Sequence, residues 1–126
     1  MVLVDTSSWI HFLRPDGHAT PKSRVQALLK AGTACWCPVV RLELWNGAGG
    51  DREKRVLREL ERLLPELPIT TQVWDGAYEL ARRCRGRGVT IPATDLLIIA
   101  CSRHHSTELE QSDSDFHQVL AVLKQN

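Results

Sequence analysis

Four stretches of this sequence place acidic side chains where packing alone does not ask for them. Asp5 closes the apolar run 1–4, and Glu43 sits among Val39, Val40, Leu42 and Leu44. Asp95 precedes the apolar Leu96, Leu97, Ile98, Ile99 and Ala100, and Asp113 and Asp115 come late in the chain. Carboxylates gathered in a partly buried site repel one another and are costly to leave uncompensated. A hard divalent cation removes that cost. Magnesium prefers oxygen ligands, keeps several waters, and takes one or two carboxylates together with substrate phosphate. Such an ion lowers the pKa of a bound water and offsets charge on a phosphodiester under attack. Taken singly, Asp5, Asp95 and Asp113 also read as helix caps or first-turn acids, and Glu43 as a solvent-facing residue. The joint pattern favours a shared site, with one acid at a strand end and others at helix starts along one rim.

Hydrophobic spacing predicts the elements that must position these acids. Residues 1–4 suit a buried parallel strand ending at Asp5, and ligands in open α/β sheets bind outside that strand edge. Thr6 or Ser7 is the expected cap of a helix with Trp9, Ile10 and Leu13 on its apolar side. Thr20 and Pro21 open a second helix, which stops before Gly32. A strand over 33–37 leads to Pro38, the start of a helix carrying Glu43. Asp51 is the expected cap of the next, where Val56, Leu57, Leu60, Leu63 and Leu64 recur at helical spacing. A third strand is expected at 67–70, helices at 71–87 and 93–103, and a fourth strand at 107–110. Asp113 then caps a last helix ending near Lys124. Strands alternating with helices imply an α/β fold around a parallel sheet.

The chain has 126 residues without repeat or linker, so a single domain over 1–126 is expected. Hydrophobic residues make up 43% and charged residues 25%, the balance of a globular protein rather than a disordered one. A net charge of +1 neither draws nor excludes a polyanion, since a local basic strip or a bound cation can supply attraction. No segment approaches the roughly 20 apolar residues of a membrane helix. The run before Asp5 lacks the basic leader of a signal peptide, so a cytoplasmic protein with no membrane partner is expected. Cys35, Cys37, Cys84 and Cys101 are then reduced thiols, and their spacing does not make the two matching pairs of a zinc site.

The motifs around the acids resemble those of a known family. Val2-Leu3-Val4-Asp5-Thr6-Ser7-Ser8-Trp9-Ile10 is similar to the first motif of PIN-domain ribonuclease toxins from toxin–antitoxin modules of the VapBC type. Arg41-Leu42-Glu43-Leu44-Trp45-Asn46-Gly47 resembles their second, and the stretch from Gly88 through Pro92 and Asp95 to Ala100 their third. Ser112-Asp113-Ser114-Asp115-Phe116 resembles their fourth. The order is right and nearly the whole chain is covered.

The resemblance implies a PIN-like three-layer α/β/α sandwich around a short parallel sheet of four strands, or five. It implies a metal-dependent endoribonuclease that hydrolyses RNA phosphodiesters with metal-activated water, transfer RNA being a common substrate class. Asp5 and Asp95 would be primary ligands of one or two Mg2+ or Mn2+ ions, with Glu43 bound directly or through water. Asp113 would be the fourth catalytic acid, and Asp115 its neighbour or substitute. Thr6 would orient Asp5 or the substrate. A homodimer is implied, as is an antitoxin partner whose C-terminal segment covers the active site. An apolar groove of Trp9, Phe12, Leu44 and Trp45 is its natural dock. Two departures stand out. Thr107-Glu108-Leu109-Glu110 is less apolar than the family's usual strand, and the chain stops at Lys124-Gln125-Asn126 where a last edge strand often follows.

Other features have plainer explanations. Arg82, Arg83, Arg85 and Arg87 read as a basic helix end complementing the dipole; the functional alternative makes Arg82 and Arg85 phosphate contacts that orient RNA. His104 and His105 end the helix that Asp95 begins, roughly 14 Å away, too far to share its metal. Trp9, Trp36, Trp45 and Trp74 are expected in the core or at an interface. A haloacid-dehalogenase-like phosphatase needs an aspartate two residues after Asp5, where Ser7 stands. A response-regulator receiver needs adjacent acids at the first strand end. The alternative that remains is a catalytically inactive PIN-like RNA-binding or protein-interaction module.

Overall fold

The computed structural model describes residues 1–124, apart from the side chain of Ser114. Its sheet is built on β1 (Val2–Val4), which lies between β2 (Ala34–Cys35) and β3 (Glu108–Glu110), both parallel to it. Leu3 pairs with Cys35 on one side and Leu109 on the other. Parallel strands need long crossovers, and here helices supply them: α1 (Thr6–Leu13) and α2 (Ala19–Ala31) between β1 and β2, then α3 (Pro38–Gly47), α4 (Asp51–Leu63), α5 (Thr71–Gly86) and α6 (Ala93–His104) between β2 and β3. A last helix, α7 (Ser114–Lys124), follows β3.

Among the described residues the sheet has three strands, narrower than the four or five expected. The strand expected at 67–70 does not form. In its place Trp36 and Glu66 make one isolated parallel bridge. The Trp36 N–H donates to the Pro65 carbonyl at 3.2 Å, and the Leu67 N–H to the Trp36 carbonyl at 2.8 Å. Continuing that ladder would need an N–H at position 38 to reach the Leu67 carbonyl, but Pro38 has none and the chain turns into α3 there. The expected strand at 107–110 does form, as β3 at the sheet edge, where its glutamates are tolerated. Among the described residues no strand follows α7; Gln125 and Asn126 lie outside them.

Local chemistry sets the helix ends, with two differences from expectation. Asp5, rather than Thr6 or Ser7, caps α1, its carboxylate accepting the Ser8 N–H. Gly50 precedes α4, so Asp51 is a first-turn acid and not the cap. Gly32 ends α2 at φ 69°, a left-handed turn that glycine adopts without steric cost. Pro38 opens α3, where its missing N–H is not needed.

The core centres on β1 and α6. Leu3 and Val4 are buried, and so is every residue of α6 from Leu96 to Ser102. That helix packs against α5, α3, α7 and β3, while α1 packs against α2 and α3. Trp9 ties the two regions together. Its indole is buried and donates to the Val4 carbonyl at 3.1 Å, and its rings meet Trp36 and Phe12 edge to face. Trp9→Ala therefore removes a large buried volume and leaves a carbonyl unpaired. A loss of about 3–5 kcal/mol is expected, read by urea denaturation; a loss below about 1 kcal/mol would show the site repacking.

Of the tryptophans expected in the core or at an interface, Trp9 and Trp36 are buried in the core and Trp74 is 45% exposed. All four cysteines are free and buried. No described helix is long and apolar enough to cross a membrane.

Candidate active site

The carboxyl end of β1 delivers Asp5 directly into the start of α1. Asp5 is only 1% exposed, and both of its oxygens are engaged. Oδ1 accepts the Ser8 backbone N–H at 3.0 Å and Oδ2 the Ser7 hydroxyl at 2.7 Å. The Asp5 N–H donates to the Glu110 carbonyl at 2.9 Å, which anchors it to β3. The segment after β3 is joined to the same place. The Ser8 and Ser112 hydroxyls lie 2.8 Å apart, and the Ser112 N–H donates to the Ser7 hydroxyl oxygen at 3.3 Å.

That segment carries Asp113 and Asp115. The Asp113 N–H donates to the Gln111 side-chain oxygen at 3.0 Å, and the Asp113 carboxylate accepts the Asp115 N–H at 2.9 Å. An aspartate accepting the N–H two residues on is a local turn that leads into α7. The first turn of α6 supplies Asp95. One carboxylate oxygen from each of Asp95, Asp113 and Asp115 lies within 4.8 Å of the other two. From α3 comes Glu43, whose Oε1 accepts the Thr6 hydroxyl at 2.7 Å. Thr6 thus holds Glu43 rather than Asp5.

The electrostatics link all five acids. Burial, then the charges of Asp113, Glu43, Asp115 and Asp5, push Asp95 up to about 6. Burial also raises Asp5, against the lowering effect of its bonds from Ser7 and Ser8, with Asp113 adding to the rise. An acid raised in the folded chain binds a proton more tightly folded than unfolded. Metal-free stability from Asp95 therefore falls as pH rises from about 4 to about 6, between its unfolded and folded values. Asp95→Asn should melt higher than the parent at neutral pH when chelator is present, with the gap closing below about pH 4. Thermal melts across that range test this, and a destabilised variant at neutral pH would contradict it.

The donor set is all oxygen and crowded, which fits a hard divalent cation. Asp95, Asp113 and Asp115 could hold one directly, with Asp5 and Glu43 close enough to share its field.

Not every expectation at the site holds. Trp9 and Leu44 are buried, so they cannot floor an open apolar groove with Phe12 and Trp45. Trp45 instead donates its indole N–H to Glu61 at 3.2 Å. A small cleft adjoins Glu43, bordered by Ile10, Leu13, Arg14, Gly47 and Glu53. Arg82 and Arg85 lie on the last turns of α5, in a depression also bordered by Leu96, the residue after Asp95. The serines were missed. The run Asp5-Thr6-Ser7-Ser8 held the signal, since hydroxyls in the first turn can reach a capping carboxylate. His105 pairs with the Pro68 carbonyl at 2.8 Å, at the far end of α6.

Comparison with known proteins gives a consistent result. The family profile described as the PIN domain matches residues 2–121. Ribonuclease VapC11 of Mycobacterium tuberculosis is 28% identical over 126 residues, covering 97% of this chain and 93% of its own length. Ribonuclease VapC21 of the same organism is 26% identical over 107 residues, covering 82% of this chain and 78% of its own. The crystal structure of FitAcB from Neisseria gonorrhoeae superposes with a TM-score of 0.75 at 21% identity, over 94% of this chain and 93% of that one. VapBC2 from Rickettsia felis bound to a promoter DNA fragment gives 0.74 at 14%, over 94% and 92%. The structural likenesses bear on fold.

Proposed function

The chain belongs to the PIN-domain family, and from that premise we propose that it is a metal-dependent endoribonuclease, the toxin of a toxin–antitoxin pair. The observation that carries the reading is the convergence on Asp95. Two acids of the late segment share its immediate surroundings, and Glu43 and Asp5 add their charge. Five carboxylates gathered this way, with Asp5 held by Ser7 and Ser8 and Glu43 by Thr6, have no structural use that fewer would not serve. Relatives named ribonucleases across nearly the full chain support the substrate class.

In this reading Asp5, Glu43, Asp95 and Asp113 are the catalytic acids. Asp95, Asp113 and Asp115 hold Mg2+ or Mn2+, with Asp5 and Glu43 completing the set. The ion, when bound, supplies an activated water and offsets charge on the scissile phosphate. The chain's own residues orient that site: Ser7 and Ser8 fix the Asp5 oxygens, and Thr6 fixes Glu43. Arg82 and Arg85 serve as outlying phosphate contacts. Transfer RNA is the proposed substrate, and the cytoplasm the proposed location. Complexes titled VapBC or toxin–antitoxin among the structural neighbours support an antitoxin partner, whose proposed place is over the acids. A homodimer is the proposed assembly, and the exposed Leu42, Trp74 and Tyr78 supply apolar surface for such contacts.

The direct test incubates purified protein with total cellular RNA in magnesium, manganese or chelator. Discrete fragments that need the metal are expected. Intact RNA from folded, metal-binding protein would instead favour the inactive binding module. Metal binding is read separately by melting, since an ion at a hundred times its dissociation constant adds about 2.7 kcal/mol of stability.

A further inference from the structure

Beside the acids a groove of about 570 Å3 opens between α1, the first turns of α2 and the segment before α7. His11, His18, Thr20, Arg24, Gln111 and His117 line it, and Asp113 belongs to its wall, so the groove and the acidic cluster share one carboxylate. Its polar groups are held in place. The His18 N–H donates to His11 Nδ1 at 3.1 Å, and the two rings meet edge to face at 4.6 Å. Gln111 accepts the Asp113 N–H with its oxygen, while its amide nitrogen lies 3.4 Å from His117 Nε2. Arg24 is anchored from beneath: its Nε lies 3.6 Å from Glu110 Oε1, a buried oxygen with no hydrogen bond. The Arg24 side chain nevertheless remains 57% exposed.

Resting on the ribonuclease reading, we propose that this groove carries the RNA strand on one side of the scissile phosphodiester. Arg24 contacts a backbone phosphate, and the His11 and His18 rings receive a base. A strand lying across Asp113 must continue into a neighbouring depression. The cleft next to Glu43 is small and carries Glu43 and Glu53 against Arg14, so it repels phosphate. The groove past Asp113 is larger, rich in donors, and holds a cation fixed by Glu110.

The test compares the parent with Arg24→Ala, Arg24→Lys, His18→Ala and the double variant Arg24→Ala with Glu110→Gln, which leaves no unpaired buried charge. Cleavage of total cellular RNA in manganese is measured alongside binding of a labelled mixed-sequence single-stranded RNA in chelator. Arg24→Ala and the double variant should raise KM about tenfold, with kcat within about twofold. Both should lower the salt slope of log affinity by about 0.7, the loss of one phosphate contact on a single strand. Arg24→Lys should retain that slope, and His18→Ala should weaken binding without changing it. Parent-like KM, affinity and slope in the Arg24 variants would overturn the groove while leaving the ribonuclease standing. So would an acidic peptide such as polyglutamate that binds here in place of RNA. A parent protein that cleaves no RNA in either metal would overturn both.

Discussion

Asp95→Asn is expected to reduce RNA cleavage by at least about a hundredfold while the protein stays folded. That factor is the scale seen when even an outer partner of a metal ligand is removed, and Asp95 is placed at the centre. Its carboxylate lies with those of Asp113 and Asp115 and feels Glu43 and Asp5 as well. Asparagine keeps the shape and one carbonyl oxygen but removes the charge a hard cation requires. Single-turnover kinetics measure the loss, and circular dichroism with thermal melts shows that the fold survives. Activity within about tenfold of the parent would remove Asp95 from the site. Asp113→Asn and Asp115→Asn, read beside it, rank the two late acids, the larger loss marking the one that matters more to the metal.

The second large effect is on pH. At a fixed, subsaturating manganese concentration, cleavage should fall as pH drops through about 6, by about tenfold per unit below it. The sign follows from the direction of the shift. Metal binds the carboxylate form, and burial together with neighbouring acids makes Asp95 hold its proton to higher pH than an ordinary aspartate. An unshifted acid near 3.8 would leave the same range flat. More manganese should move the midpoint toward acid, because ion and proton compete for the same oxygens. A profile flat from about pH 5 to about pH 8 at low metal would mean the acids do not share a site.

Much of the architecture was legible along the chain because it rests on local chemistry. Pro38 and Gly32 mark helix ends, proline by its preset φ at a helix start and glycine by its ease at positive φ. The spacing of Val73, Ala77, Leu80 and Ala81 marks the inner face of α5, where Val73, Ala77 and Leu80 are buried. Segment 67–70 misled because its apolar content suits a strand, yet the missing N–H groups of Pro65 and Pro38 permit a single bridge and no ladder. Trp9 shows a different limit. An apolar residue on an inner helix face reads alike whether it floors a groove or lies wholly inside, and here its indole reaches back to Val4.

The sequence by itself determined which acids this protein has, the elements that carry them and the order in which they come, because strand ends, caps and helical periods are properties of short segments. Only the tertiary structure decided how those acids stand to one another. Parallel pairing on both sides of β1 brings the starts of α1 and α7 together, and the packing of α6 and α3 adds Asp95 and Glu43. Which hydroxyl holds which carboxylate, and how far burial raises Asp95, depend on distances between residues as far apart as Ser8 and Ser112. No local pattern encodes such distances. They come from the one packing that buries the core.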